Sequence, residues 1–257
     1  MLKYKKICLL SLFLLMLLLL ADQFIFISAW FYIGTVIATL ALLAYGSAAV
    51  CSGFYCRVIC SGSTSERIIS LTFDDGPHET LTPAILDILN KYDVKSAFFC
   101  VGNRAAENPH LIMRMDKEGH IIGNHSGSHH FLFDLFSRKK IAEDLEENDK
   151  IIDRIINKKV SLFRPPYGVT NPAVAAAVRA RGYTVIGWSL KSRDTVIKNE
   201  NLLLERLGQK LKNGGIILFH DNMDVTARIL DRFIQHAAER NFRFERLDHL
   251  LKINAYE

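Results

Sequence analysis

Leu71-Thr72-Phe73-Asp74-Asp75-Gly76-Pro77 is the stretch from which the rest of the chain can be read. An apolar run from Ile68 to Phe73 stops at two adjacent carboxylates, and Gly76-Pro77 breaks the chain before a helical pattern begins. A short run bounded by turn residues reads as a buried strand. Carboxylates at the end of such a strand cost energy unless they are paired, hydrogen-bonded or metal-bound. Taken alone, Asp-Asp-Gly-Pro also fits a plain loop in which one Asp caps the next helix. The pattern downstream decides between the two.

From Ile68 onward, short apolar runs alternate with capped helical patterns. Thr82-Pro83, Asn108-Pro109, Ser137 and Asn171-Pro172 mark helix openings, with Thr82 as the cap of the first. Further helices are predicted over 201–213 and 226–240, and strands over 96–101, 120–123, 161–164, 183–188, 216–219 and 242–246. This alternation predicts a parallel sheet with helices outside. About seven parallel strands make an α/β fold, an irregular (β/α) barrel.

The residues that packing does not explain fall at the carboxyl ends of these strands. Asp74-Asp75 follow the first, Asn124 to His129 the third, Arg164-Pro165-Pro166-Tyr167-Gly168 the fourth, Trp188 and Asp194 the fifth, and His220-Asp221 the sixth. In an α/β barrel those ends converge on one face, where the site is built. His125 and His129 are spaced i, i+4, so a helical turn puts both imidazoles on one side. Two histidines and one carboxylate make a three-ligand site with room for water, the catalytic pattern for a divalent metal. One of Asp74 and Asp75 supplies the carboxylate; the other stands where a general base would. Arg164, if buried, needs a carboxylate partner, and the spare Asp is a natural one. His220 is a candidate general acid. Trp188 equally fits a core position, and Asp194 a loop cap.

The N-terminus is of another kind. The chain has 257 residues, 49% of them hydrophobic, and a formal charge of +5. Lys3, Lys5 and Lys6 precede an apolar run from Ile7 to Ala21; Asp22-Gln23 interrupts it, and a second run extends from Phe24 to Val50. A spanning helix needs roughly 20 apolar residues. Residues 1–50 therefore read as a membrane anchor of one or two transmembrane helices, 51–67 as a linker and 68–257 as the catalytic domain. A hairpin returns both ends to the lysine side of the membrane; a single span puts the barrel opposite. The lipid partner is contacted through residues 7–50. The mild basic charge, without a long Lys/Arg run, does not point to nucleic acid. Cys8, Cys51, Cys56, Cys60 and Cys100 lack C-x-x-C spacing and read as small hydrophobes without a disulfide framework.

Thr72 to Pro77, His125-Ser126-x-x-His129, Arg164 to Gly168 and Leu218-Phe219-His220 together resemble the ordered motifs of the polysaccharide deacetylase family (carbohydrate esterase family four, with the nodulation-type chitooligosaccharide deacetylases). The likeness runs from about Ile68 to Leu251. It implies a divalent metal, usually zinc, on Asp75, His125 and His129, with Asp74 as general base and His220 as general acid. It implies that Arg164 orients Asp74, that Asp194 tunes His220, that the Tyr167 backbone N–H helps hold an oxyanion, and that Trp188 and Leu218 line an acetyl pocket. Thr195 departs from the family's usual Trp, Lys191 stands where an acid is frequent, and Gly127 and His130 replace residues that are commonly aromatic and Pro, changes expected to widen the site. The implied activity is metal-dependent removal of an N-acetyl or N-formyl group from an amino sugar, in an envelope glycan or a lipid-linked precursor, at the bacterial cytoplasmic membrane. A catalytically silent carbohydrate-binding protein on the same barrel is the alternative; loss of a ligand or of the acid–base pair would favour it, and here all are present.

Overall fold

A computed structural model describes residues 3–257. The chain starts with two antiparallel helices, α1 (Lys3–Ala21) and α2 (Ala29–Ala48), joined side to side by Ser11 Oγ and Thr39 Oγ1 at 2.7 Å. By length and composition both are long and apolar enough to cross a membrane, and almost none of their surface is buried.

The remainder is an α/β fold around one curled sheet. Its elements are β1 (Val58–Ile59), β2 (Ile68–Asp74), α3 (Leu81–Lys91), β3 (Ala97–Cys100), α4 (Gly102–Glu107), α5 (Pro109–Lys117), β4 (Ile121–Asn124), α6 (Arg138–Ile156), β5 (Leu162–Phe163), α7 (Pro172–Ala180), β6 (Thr184–Ile186), β7 (Leu190–Lys191), α8 (Glu200–Lys210), β8 (Gly215–His220), α9 (Asp224–Glu239), β9 (Arg243–Phe244) and α10 (Leu247–Leu251). The strands run β1-β6-β5-β4-β3-β2-β8-β7, with β9 also paired to β2 and every ladder parallel. Among the described residues β1 and β7 do not pair with each other, so the sheet is a half-barrel that stays open.

β2 carries both faces of the design. Successive side chains of a strand point to opposite sides. Ile69, Leu71 and Phe73 pack into the layer beneath the helices, where Phe73 stacks on Phe98 at 4.9 Å. Ser70, Thr72 and Asp74, all buried, alternate with them. What reads as an apolar run is therefore an alternating strand whose second face is polar. Thr72 Oγ1 donates to the Ile217 carbonyl at 2.8 Å, which satisfies one of these interior groups.

The structure corrects several expectations. The sheet has nine strands among the described residues, because β1 and β7 are two-residue strands too short to show a period. β1 lies inside the segment read as linker, and Phe54, Tyr55 and Cys56 of that segment are buried. Helix α3 starts at Leu81 with Thr80 before it; Thr82 is no cap, since its hydroxyl donates to Asp221 at 2.7 Å. The cysteine reading is overturned: Cys51 and Cys60 are joined in a disulfide, while Cys8, Cys56 and Cys100 stay free. The bridge packs on Gly187, where a Cβ would lie 2.5 Å from Cys60 Sγ.

Because that bridge closes a short loop from just after α2 to just after β1, removing it relaxes the unfolded chain by about 2–3 kcal/mol. Cys60→Ser should lower the melting temperature of the detergent-solubilised protein, and reductant should lower the parent's to match. Identical melting of oxidised and reduced parent would deny the bridge a stabilising role.

Candidate active site

The sheet register sets the site. In the β2–β8 ladder Asp74 stands opposite His220, and in the β4–β5 ladder Asn124 stands opposite Phe163, so the ends of β2, β4, β5 and β8 lie level. Beyond them Asp74, Asp75, His125, His129, Tyr167, Trp188, Lys191, Thr195, Leu218 and His220 line one cavity of about 220 Å³.

Asp75, His125 and His129 converge so that their ligand atoms lie within 4.8 Å of one another. Asp75 Oδ1 is 3.4 Å from His125 Nε2 and 3.2 Å from His129 Nε2. The convergence does not come from a helical turn: residues 125–129 form an irregular loop, and Ser126 and His129 take left-handed backbone angles, φ 73° and 47°. Asp75 (φ 73°) and Tyr167 (φ 60°) do the same. Such angles persist in non-glycine residues only where the surroundings over-determine them. Here Asn124 Oδ1 accepts from Ser126 N, Asn148 Nδ2 donates to Ser126 O, Ser126 Oγ accepts from His129 N, and Arg104 donates to Asp75 O. Asp144 accepts from Gly127 N and Ser128 N. Gly127 does not widen the site, because α6 fills its place: a Cβ there would lie 2.8 Å from Asp144 O.

The donor set fits a divalent metal. His125 Nδ1 donates to the Arg164 carbonyl at 2.8 Å, which fixes the tautomer and leaves Nε2 as the ligand atom. Two neutral imidazoles and one carboxylate suit a catalytic ion. Burial opposes charge on Asp75, but His125 and His129 outweigh it and hold its carboxyl well below the usual range.

Asp74 is held apart for another task. Arg164, fully buried, donates through Nη1 to Asp74 Oδ1 at 2.7 Å. The same guanidinium donates to Thr72 Oγ1, the Ile186 carbonyl and the Gly187 carbonyl, and lies 4.1 Å from the Phe99 ring centre. Burial lowers its pKa, partly offset by Asp74. Asp74 Oδ2 is left facing the metal ligands, 3.9 Å from His125 Nε2.

On the opposite wall His220 Nδ1 lies 2.7 Å from Asp194 Oδ1. Asp194 Oδ2 accepts from His220 N and from Thr226 Oγ1, so the acid is locked in place. Burial lowers the imidazole's proton affinity, but Asp194 overcomes it and holds His220 above the ordinary range. With Nδ1 engaged, Nε2 is the nitrogen that serves the cavity. The sequence does not single out Asn148, Asp144, Arg104 or Thr226, whose work is done through hydrogen bonds that no spacing encodes.

The family comparison agrees with this geometry. A polysaccharide deacetylase family model matches residues 61–186, beginning after the two N-terminal helices. A peptidoglycan-N-acetylglucosamine deacetylase of Bacillus cereus is 33% identical over 193 residues, 73% of this chain and 90% of its own. The chain belongs to the polysaccharide deacetylase family. A crystal structure of the Bc1960 peptidoglycan N-acetylglucosamine deacetylase superposes with a TM-score of 0.73 at 26% identity, covering 77% of this chain and 94% of that one. A family pseudoenzyme of Bacillus anthracis, BA3943, superposes with a TM-score of 0.70 at 27% identity, covering 75% and 68%. The scaffold thus exists with and without activity. This polysaccharide deacetylase retains a metal-binding triad, with Asp74 paired to Arg164 and His220 paired to Asp194, on the scaffold of a metal-dependent amide hydrolase.

Asp221, beside the site, has no partner for Oδ1 among the described residues, and burial pushes its carboxyl up to about 7. An unfolded Asp titrates near 4, roughly. A raised folded pKa gives stability that is full below about pH 4 and lost as pH rises through about 7. Asp221→Asn should flatten that fall in the melting temperature. An unchanged slope would assign the pH dependence to other groups.

Proposed function

We propose that this protein is a zinc-dependent deacetylase that removes an N-acetyl (or N-formyl) group from an amino sugar, and that α1 and α2 hold it on the bacterial cytoplasmic membrane. The observation that carries the reading is the division of labour between adjacent carboxylates: Asp75 faces two imidazoles and Asp74 faces a buried guanidinium.

Asp75, His125 and His129 would hold a divalent ion, and the chemistry it would supply is Lewis-acid polarisation of an amide carbonyl and acidification of a water. Asp74 takes the proton of the attacking water, and Arg164 keeps its carboxylate aimed. The developing oxyanion needs a protein donor. The N–H groups of Gly168 and Val169 are used inside their turn, donating to Pro165 and Pro166, whereas Tyr167 N–H makes no hydrogen bond among the described residues. That free donor supports Tyr167 as the oxyanion partner. Trp188 and Leu218 form the apolar wall for the acyl methyl. His220, charged beside Asp194, protonates the leaving amine, and the carboxylic acid and the free amino sugar depart.

Membrane attachment is supported by the two exposed apolar helices. Both ends of the hairpin meet the barrel, so Lys3, Lys5, Lys6 and the catalytic domain share one side. Two features bear on which side and oppose each other. The lysines favour the cytoplasmic face, while a disulfide persists in an oxidising compartment. The bridge is a covalent consequence of its surroundings and the lysine preference a statistical one, so we place the barrel on the exported face. A reporter fused after Glu257 should give an external signal; an internal one would reverse the assignment.

His125→Ala should lose both metal, measured by elemental analysis, and turnover; full activity without metal would remove the metal from the reaction. His220→Ala should retain metal and lose about a hundredfold to ten-thousandfold in kcat. Asp194→Asn should move the alkaline limb of the kcat profile to lower pH, because the group holding His220 protonated is gone. An unmoved limb would assign that limb to another acid.

A further inference from the structure

The deacetylase reading and the membrane hairpin leave the substrate's carrier open, and the rim of the active site addresses it. The hairpin joins the barrel at the mouth. Tyr4, Ile7 and Leu43 pack on the apolar cluster that contains Phe133, four residues beyond the ligand His129. Thr170 N, three residues past Tyr167, donates to Ser47 O of α2 at 3.2 Å. Cys51, just after α2, has its sulfur 3.2 Å from the Trp188 carbonyl oxygen.

At this junction the mouth exposes apolar side chains. Phe131 is 71% exposed and Leu135 73%, and both sit on the turn that Asn171 fastens through the Asp134 carbonyl, next to Thr170. Tyr167 and Val196 are exposed on other segments that border the cavity. Scattered exposed apolar residues need no explanation. Phe131 and Leu135 lie within six residues of His129, which lines the cavity, and their turn packs through Phe133 and Phe136 on the cluster that also holds the hairpin, which is the pattern of an interfacial surface.

Charge points the same way. Helix α6 opens beside the Phe131–Leu135 turn with Arg138, Lys139 and Lys140 and has no acidic residue in its first turn. Cations at a helix N-terminus oppose the helix dipole; Lys139 reaches Glu143 at 3.8 Å and Lys140 lies over the Phe136 ring, while Arg138 forms no ion pair among the described residues, so the turn presents positive charge to an anionic surface outside the protein. Lys3, Lys5, Lys6 and Arg57 add to it at the root of the hairpin. Inside the cavity Lys191 forms no ion pair among the described residues, and its ammonium stands 5.5 Å from the Trp188 ring centre.

We propose that the mouth of the active site rests on the bilayer and receives its N-acylated amino sugar on a phosphate-bearing lipid, with Lys191 as the counter-charge of the phosphate. The inference rests on the deacetylase reading for its chemistry and on the rim for its geometry, and the two are tested separately.

Geometry is read without catalysis. The full-length protein is reconstituted in vesicles of phosphatidylcholine and phosphatidylglycerol with brominated acyl chains. Tryptophan emission of Leu135→Trp should be quenched beyond the parent's, whereas Lys117→Trp, at the C-terminal end of α5, should not be. Equal quenching of both, or none at Leu135→Trp, overturns the contact. Chemistry is read as acetate release by the metal-loaded protein in the same vesicles, from polyprenyl-phosphate-linked N-acetylglucosamine and from a soluble N-acetylglucosamine oligomer. The lipid-linked sugar should have the higher kcat/KM by about tenfold or more. Leu135→Asp should remove that advantage while leaving the soluble oligomer's rate alone, and Lys191→Gln should raise KM for the lipid-linked sugar more than for the oligomer. A soluble oligomer turned over as well as the lipid-linked sugar overturns the carrier. Turnover of neither overturns the carrier and the deacetylase reading together, while the quenching result still stands or falls by itself.

Discussion

The buried pair of Arg164 and Asp74 is the interaction on which the rest of the site depends. A guanidinium without solvent contact is tolerable only when its donors are met, and here a carboxylate, a hydroxyl and two carbonyls meet them. Those partners come from β2 and from the end of β6 with the residue after it, while the arginine follows β5. The pair therefore acts as a cross-brace through the interior of an open sheet. It also explains why two neighbouring aspartates behave differently. One is neutralised from below by a fixed cation, and the other is left to face imidazoles.

Much of this was legible in the amino-acid sequence, for a physical reason. Asp74, Asp75, His125, His129, Arg164 and His220 are polar residues placed where strands end, and their misfit with simple packing marks them. The disposition of Asp194 against His220 was implied by family likeness and is now visible as a hydrogen bond. The features that stayed hidden have no local signature. β1 and β7 are two residues long, and α4 is six, too short for a hydrophobic period. Cys51 and Cys60 pair because the turn after α2 folds back onto β1 where β1 adds to β6, a tertiary event that spacing does not announce. The i, i+4 histidines looked helical, yet they converge through left-handed turns held by Asn124, Asn148 and Asp144. Thr82 resembled a helix cap and instead serves a buried carboxyl.

Two of the departures from the family pattern, Lys191 and Thr195, border the cavity, whereas Gly127 packs against α6. Asp74 and His220 end their strands, and Asp75 and His125 directly follow theirs. A half-barrel allows this separation: the strands fix the reacting groups, and the loops above them vary what is presented.

The short covered segment between α2 and β1 has a kinetic consequence. Nine residues separate Ala48 from Val58, a disulfide folds them back, and Val50, Phe54, Tyr55 and Cys56 are buried among them. A flexible tether would let the catalytic domain sweep a hemisphere of solution. This one leaves no slack, so the domain moves with its anchor. With α1 and α2 in a bilayer and the substrate on a lipid, as proposed above, encounters would happen by lateral diffusion in two dimensions, and the concentration governing turnover would be a number of molecules per unit of membrane area.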